Sequence, residues 1–318
     1  MKDSNLISIV VPLYNEEKSI KILYSELTSS LEGYNYEIIF INDGSSDKSN
    51  DIIKELIDSN NIYLIELYKN YGKSAALSEG FKYSKGDYIV TLDADLQDDP
   101  LEIKKLIQCL SESNFDIISG WKRNRKDPLS KKIPSKIFNF FTRLFSGINI
   151  HDFNCGLKIY RKKVIKSIEV YGGMHRYIPV IAKQKGFTTS EKNVNHRPRK
   201  YGETKYGGSR FLHGFFDLLT VLFLGKYFSR PLHFFGIFGF LNLILGILIN
   251  LYLTIGWFNG IWIGDRPIFF LGILLIIIGI QFISLGLLGE LIIKSNLKNE
   301  NRISSIISFK TINENNFN

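Results

Sequence analysis

Two carboxylates, Asp93 and Asp95, stand in the run Thr91-Leu92-Asp93-Ala94-Asp95-Leu96-Gln97-Asp98-Asp99-Pro100. They follow directly on the apolar stretch Tyr88 to Leu92, whose length and composition predict a buried parallel strand. In extended backbone, side chains alternate with period two, so Asp93 and Asp95 would point the same way. Like charges that close repel unless something positive lies between them, and a hard divalent cation with its oxygen preference fits that place. Such a cation would in turn attract phosphate oxygens. Taken by itself, such a pair more often belongs to an acidic loop capping the next helix, here the one that Pro100 opens, since the fixed φ of proline suits a first helical turn.

Other residues of the same kind follow apolar runs. Asp43, in Asn42-Asp43-Gly44-Ser45-Ser46-Asp47, can accept bonds from a base or ribose, or can simply form the turn. Ser46 and Asp47 read as N-caps of the next helix. Lys73, after Asn70-Tyr71-Gly72, falls at a predicted helix start, where a cation opposes the macrodipole unless an anion is present. Arg123 closes Trp121-Lys122-Arg123. Asp152, in His151-Asp152-Phe153-Asn154-Cys155-Gly156, is a lone carboxylate in an apolar setting, and its plain alternative is a buried, hydrogen-bonded turn residue. In the basic stretch Asn195 to Tyr206, Arg199 and Lys205 bracket Gly202, which lets backbone approach a bulky anion. Phosphate binding is therefore favoured there over a merely solvated face.

The elements that must position these groups are strands predicted at 6–13, 36–41, 62–67, 88–92 and 115–120, with helices between them. Five βα units in succession imply an α/β fold, a doubly wound parallel sheet with right-handed crossovers. Ligands in such sheets bind outside the carboxyl ends of the strands, where the candidates through Arg123 lie. Neither a G-x-G-x-x-G after the first strand nor a G-x-x-x-x-G-K-[ST] is present. Phosphate must then be handled by metal and cationic side chains.

Hydrophobicity is unevenly placed along the 318 residues: charge is interleaved up to about residue 210 and then nearly vanishes until Lys294. The net charge of +9 comes with no nucleic-acid motif, and the basic residues gather before the apolar region, as suits an anionic membrane surface. Cys109 and Cys155 are too few for a disulfide framework or zinc site, which points to a cytosolic setting for the soluble part. Met1-Lys2-Asp3 runs straight into a strand pattern, so no secretory signal peptide is expected. Lys131 to Phe145 reads as an interfacial helix or a core helix with solvated lysines, and 211–230 as an aromatic amphipathic helix. Two runs, about Leu232 to Phe258 and Pro267 to Ile293, are long enough to span a hydrocarbon core needing ~20 residues. Basic residues flank the outer ends of this hairpin, which predicts both ends and the α/β domain on the cytoplasmic side of the plasma membrane. The expected organisation is a catalytic domain at 1–210, an interfacial helix at 211–230, two spans at 231–295 and a tail at 296–318.

Together, these motifs in this order resemble the inverting, GT-A-fold glycosyltransferases of family 2, in the branch of dolichol-phosphate mannose synthase and the bactoprenol glucosyltransferases. The matching pieces are Val11-Pro12-Leu13-Tyr14-Asn15-Glu16-Glu17, Asn42-Asp43-Gly44-Ser45, Asn70-Tyr71-Gly72-Lys73, Asp93 to Pro100, Asp152 to Gly156, Arg199 to Tyr206 and the hairpin. The resemblance implies hexose transfer from a nucleotide-sugar, UDP-glucose first, to a polyprenyl phosphate in the bilayer. Pro12, Tyr14, Asn15, Glu16, Asp43, Lys73, Asp93 and Ala94 would hold the nucleotide-sugar. Asp93, Asp95 and Gln97 would hold Mg²⁺ or Mn²⁺, and Asp152 and Asp95 would be catalytic. Arg123, Lys132, Arg176, Arg199 and Lys205 would grip phosphates. The resemblance also allows a homo-oligomer, a tetramer, and gives nucleic acid no role. Two other readings are a processive polysaccharide synthase and a non-catalytic membrane-anchored nucleotide-sugar binder. The first would have several spans and a Gln-x-x-Arg-Trp motif, which is absent, and the second would have lost Asp93, Asp95 or Asp152.

Overall fold

The structure is a computed structural model that describes residues 5–57, 61–123, 129–198, 200–201, 216–218, 220–222, 231–260 and 262–296, with 129–134 and 293–296 as backbone only. It divides into two compact units, Met1–Gly225 and Lys226–Asn318.

The first unit is built on a seven-stranded sheet. Its strands are β1 (Ile7–Leu13), β2 (Tyr36–Asn42), β3 (Ile62–Glu66), β4 (Tyr88–Thr91), β5 (Ile117–Trp121), β6 (Lys158–Arg161) and β7 (Thr189–Asn193), in the order β3-β2-β1-β4-β6-β5-β7. All seven residues of β1 are buried because helices cover both faces, which is why it reads as a continuous apolar run. Alternation divides those residues between two cores. Ile9, Val11, Ile38 and Phe40 pack with α1 (Ile20–Ser30) and α4 (Glu102–Ser111), while Val10, Ile39 and Ile41 pack with α3 (Lys73–Tyr83). Gly80 lets α3 lie flush on the sheet: a Cβ there would come within 2.5 Å of Val10 Cγ1.

The five expected strands are present, but the sheet is mixed, not wholly parallel. β6 enters between β4 and β5 and runs antiparallel to both, and β7 adds an edge beside β5. The reason is legible afterwards: β6 has four residues, two of them cationic, too short and too polar for a periodic signal. α4 begins two residues after Pro100, with Leu101 as its N-cap, and Asp99 supports the entry by accepting the Leu101 N–H at 3.1 Å. The N-cap of α2 (Ser49–Leu56) is Lys48, not the expected Ser46 or Asp47; Asp47 instead closes the turn before it by accepting the Ser49 N–H at 3.0 Å. In α5 (Leu129–Ser146), Ile137, Phe140, Phe141, Leu144 and Phe145 are exposed while Thr142 is buried. A core helix would bury that apolar stripe, so its orientation fits the interfacial alternative. α6 (Lys162–Ser167), a 3₁₀ turn (Met174–Tyr177) and α7 (Ile178–Gln184) complete the sheet's second face. Of 211–230, the described residues 216–218 and 220–222 are helical, with Leu218 and Val221 buried and Phe216 exposed.

The second unit is an antiparallel helical hairpin of α8 (Pro231–Phe258) and α9 (Pro267–Asn296), both long and apolar enough to cross a membrane. At 1.5 Å per residue, the 28-residue α8 extends about 42 Å, more than a hydrocarbon core of about 30 Å. The helices meet through glycines: a Cβ on Gly239 would lie 2.8 Å from the Gly279 carbonyl oxygen, and one on Gly246 2.7 Å from that of Gly272. Close approach through small residues is how helices pack where lipid removes the hydrophobic drive between them. Outward, the two helices show Phe238, Leu241, Leu248, Leu274, Ile277 and Leu288, a surface that suits lipid and not water.

Gly279→Leu should splay this hairpin, since its Cβ would meet the Gly239 carbonyl oxygen at 2.7 Å. Overpacking of that kind costs about 1–3 kcal/mol, readable as a lower melting temperature in detergent by circular dichroism. Gly236→Ala, whose nearest neighbour stands at 3.6 Å, should melt like the parent.

Candidate active site

The site is assembled at the carboxyl ends of β1, β2 and β4. Pro12 is tolerated in a central strand because β4 pairs with β1 only as far as Val10, leaving no ladder bond for a Pro12 N–H to make on that side. Beyond it, the half-buried Tyr14, Asn15 and Glu16 interlock with the β2 tip. The Asn15 N–H donates to Ser45 Oγ at 2.9 Å, the Ser46 N–H to Asn15 Oδ1 at 2.8 Å and the Glu16 N–H to Ser49 Oγ at 3.0 Å. Asn15 takes a left-handed φ of 52°, one of two such non-glycine positions among the described residues.

Asp43 lies across from this loop, 5% exposed, and accepts the N–H of Tyr71 at 2.7 Å and of Gly72 at 2.9 Å. Burial raises its pKa, and the two N–H bonds partly offset the rise. It therefore anchors the turn that delivers Lys73, with Gly72 at φ 91° as the helix N-cap. Lys73 heads α3 and its ammonium pairs with Asp93, the anion that its place in the helix dipole demanded. Burial pushes the Asp93 carboxyl up, but the charge and hydrogen bond of Lys73, aided by Lys122 and His175, prevail and hold it down at about 2. The stabilisation from this depressed carboxyl is present above its ordinary 3.8 and is lost only as pH falls through about 2.

The strand ends at Thr91, so Asp93 and Asp95 are not the extended pair that alternation suggested; they belong to a turn. Ala94 is buried beneath it, Asp95 Oδ1 accepts the Gln97 N–H at 3.1 Å, and Leu96 is held at φ 61°. A buried leucine in the left-handed region is strained, and such strain persists where surroundings over-determine it. Two carboxylates and an amide oxygen on one turn suit a hard cation that takes its remaining ligands from substrate phosphates and water. No cluster of three or more His, Cys, Asp or Glu side chains placed to hold a metal occurs among the described residues.

Asp152 is 3% exposed and folds into its own turn, Oδ1 accepting the Asn154 N–H at 3.1 Å. Asn139 of α5 accepts the Phe153 N–H at 3.3 Å, and Lys158 in β6 donates to the Phe153 carbonyl at 3.2 Å and to that of Cys155. On its other side, the ring of His151 stacks on Trp121 at 4.1 Å and is bonded to Glu191, and the Arg123 guanidinium lies 5.8 Å from the Trp121 ring centroid. Thr91 Oγ1 donates to the Gly156 carbonyl at 2.8 Å, which brings the Asp152 loop against the Asp93–Asp95 turn.

Behind the Lys73–Asp93 pair is a cavity lined by Lys73, Asn154, Gly156, Lys158, His175 and Arg176. Burial, joined by the charges of Lys73 and Arg176, pushes the His175 pKa well down, so the ring is neutral. Ser74 Oγ accepts the His175 N–H at 3.0 Å and is hydrogen-bonded to the ring Nδ1 at 2.9 Å. Arg176 is 9% exposed, and its buried Nε has no hydrogen-bond partner among the described residues. A buried guanidinium N–H without a partner among the described residues is costly, and an anion or a water at this point would offset that cost.

Residues from five separate stretches (Asp43, Lys73, Asp93 with Asp95, Asp152, Arg176) are thus joined by this network. Arg199 and Lys205 lie outside the described residues, and Lys132 is described as backbone only. Sequence reasoning missed Lys158, His175, Trp121 and Lys122. Lys158 could have been noticed as a lone cation between Leu157 and Ile159; nothing local marks the others.

Gly156 is required by this packing, since a Cβ there would lie 2.7 Å from the Asp93 carboxylate. Gly156→Ala should shift Asp93 and weaken metal-dependent nucleotide binding about tenfold or more, while leaving the melting temperature near that of the parent. Titration with Mn²⁺ and UDP beside a thermal melt checks both halves.

A family model described as Glycosyl transferase family 2 matches residues 8–169. The chain is 36% identical over 302 residues to a dodecaprenyl-phosphate galacturonate synthase of Rhizobium johnstonii, covering 92% of this chain and 89% of that one. It is 34% identical to an undecaprenyl-phosphate 4-deoxy-4-formamido-L-arabinose transferase of Pseudomonas syringae, covering 89% and 84%. Among solved structures, glucosyl-3-phosphoglycerate synthase from Mycobacterium tuberculosis, in complex with Mn²⁺, UDP-glucose and phosphoglyceric acid, superposes with a TM-score of 0.56 at 17% identity, over 69% of this chain and 80% of that one. That likeness establishes the GT-A fold, and the family match with the two relatives places the function on it: the chain is a glycosyltransferase and belongs to glycosyl transferase family 2.

Proposed function

We propose that the protein transfers a sugar, with inversion, from a nucleoside-diphosphate donor to the phosphate of a membrane polyprenyl phosphate. The observation that carries this reading is the group of fixed cations Lys73, Lys158 and Arg176, gathered around a small cleft beside the Asp93 turn. Two anionic reactants must be brought together, and only fixed cations and a metal can screen their repulsion. The lipid nature of the acceptor is supported by the two relatives named for polyprenyl-phosphate substrates and by the apolar hairpin. An anchored enzyme meets a membrane-borne acceptor without a three-dimensional search. Both ends of the hairpin, and the catalytic unit, are assigned to the cytoplasmic side on the distribution of lysine and arginine.

In this reading Tyr14, Asn15, Glu16 and Asp43 hold the nucleoside, with Pro12 and Ala94 shaping the floor of the site. Asp93, Asp95 and Gln97 hold Mg²⁺ or Mn²⁺, whose positive charge, when bound, stabilises the leaving nucleoside diphosphate. Arg123 and Arg176, with Lys132, Arg199 and Lys205, steady the phosphates. UDP-glucose is the first donor to test, since the solved structures of this fold hold it with Mn²⁺. UDP-galacturonate comes next, after the sugar in the name of the Rhizobium relative.

Asp152 is read as an orienting carboxylate more than a base. The second pKa of a phosphate monoester is about 6, so the acceptor is largely a dianion at neutral pH and has no proton to give up. Its place in a closed turn against Phe153 and Lys158 supports positioning.

Membranes carrying the protein, incubated with labelled nucleotide sugars and undecaprenyl phosphate, should yield one labelled lipid. EDTA should abolish its formation and Mn²⁺ or Mg²⁺ restore it; absence of product with every donor would sink the proposal. Asp152→Asn should lower the transfer rate about 10²-fold or more, with no recovery as pH is raised. Alkaline recovery would make Asp152 a base.

A further inference from the structure

The motif that carries Asp93 and Asp95 runs on into two more carboxylates, Asp98 and Asp99, that the chemistry above does not use. Both are buried, at 0% and 6% exposed. Asp98 forms an ion pair at 2.6 Å with Lys122, itself buried and the residue before Arg123. Burial lowers the Lys122 pKa, but the charge of Asp98 outweighs it and raises the ammonium above its ordinary range. Asp99 is engaged from the other side. Its Oδ1 accepts Arg197 Nη2 at 2.7 Å, and its Oδ2 accepts Asn195 Nδ2 at 3.1 Å. The second arm of the same guanidinium reaches Glu26 of α1 at 2.7 Å. Backbone reinforces the contact: the Arg197 N–H donates to the Gln97 carbonyl at 2.9 Å, and Asp98 and His196 form an antiparallel bridge. Arg197 lies within the basic stretch, two residues before Arg199.

Stability alone does not explain this arrangement. Desolvating two ion pairs offsets most of their attraction, and apolar side chains of similar volume would often serve as well. What an ion pair adds is register, above all when a planar guanidinium bridges two carboxylates in fixed geometry. We infer that Asp98 and Asp99 are positioning residues that hold the Asp93–Asp95 turn in register with Lys122 and Arg123 on one side and with the 195–198 segment on the other. Asp98 acts through Lys122 on Arg123, and Asp99 acts through Arg197 on residues 195–198. Neither touches a reactant. The inference rests on the transfer reading above and assigns these residues to the acceptor half of it.

The test uses the full chain in vesicles of phosphatidylglycerol with undecaprenyl phosphate, comparing the parent with Arg197→Met and Arg197→Lys. Arg197→Met should keep Mn²⁺-dependent UDP binding within about twofold while raising KM for undecaprenyl phosphate about tenfold, and it should melt earlier than the parent because Asp99 loses its cation. Arg197→Lys should recover part of that loss, because charge returns without the fork. An unchanged KM, or UDP binding that falls together with activity, would overturn the inference. Should Arg197→Met not fold, Asp99→Asn carries the same comparison, since it keeps the size of the side chain and an oxygen acceptor. If the parent transfers no sugar to undecaprenyl phosphate, the transfer reading fails instead; a parent that transfers beside a variant with parental KM removes only the registering role.

Discussion

Charge held at strand tips is the constraint on which the catalytic unit depends, and its centre is the partly exposed Lys73–Asp93 pair. Lysine is a poor choice for the first position of a helix, because the amide dipoles already present positive charge there. It is tolerated because Asp93 lies opposite, held ionised by that same lysine against the pull of burial. Each half would be costly without the other. Around them the chain spends further structure on keeping charges in place. Asp43 gives both oxygens to the turn before Lys73, Ser74 locks a neutral His175 beside Arg176, and Lys158 fastens the carbonyls of the Asp152 loop. A site so rich in fixed cations suits a reaction between two anions, where electrostatic pre-organisation does most of the work.

The hairpin obeys a different rule. Its glycines bring two backbones into van der Waals contact, and nearly everything else on the helices faces outward and is apolar. In a soluble protein that surface would be a liability; in lipid it is the ordinary state of a spanning helix. α5 carries a smaller version of the same signal on the catalytic unit, with Phe140, Phe141, Leu144 and Phe145 turned away from the core.

Much of this was legible beforehand because parallel strands covered on both faces leave continuous apolar runs, and β1, β2 and β4 are of that kind. Since ligands gather at the carboxyl ends of such strands, the runs also pointed to Tyr14, Asp43, Lys73, Asp93 and Asp95. β6 and β7 left no comparable trace. Lys158-Ile159-Tyr160-Arg161 is a strand only because β4 and β5 offer it two ladders at once, and Thr189 to Asn193 is a polar edge. Strand formation in such segments is decided by neighbours, not by propensity.

The one-dimensional order of residues was enough to determine fold class, the presence of a carboxylate turn, the membrane-spanning length of two segments and the family, because each depends on local periodicity or on a contiguous motif. Only the tertiary structure decided which charges neutralise one another. Lys122 and Asp98 are 24 positions apart, and Arg197 and Asp99 98 apart. Their pairing follows from an antiparallel strand threaded into a parallel sheet, a long-range event that no local pattern encodes. The same threading brings Gly156 against Asp93 and Arg176 beside Lys73, so the chemistry of the site belongs to the fold as much as to its motifs.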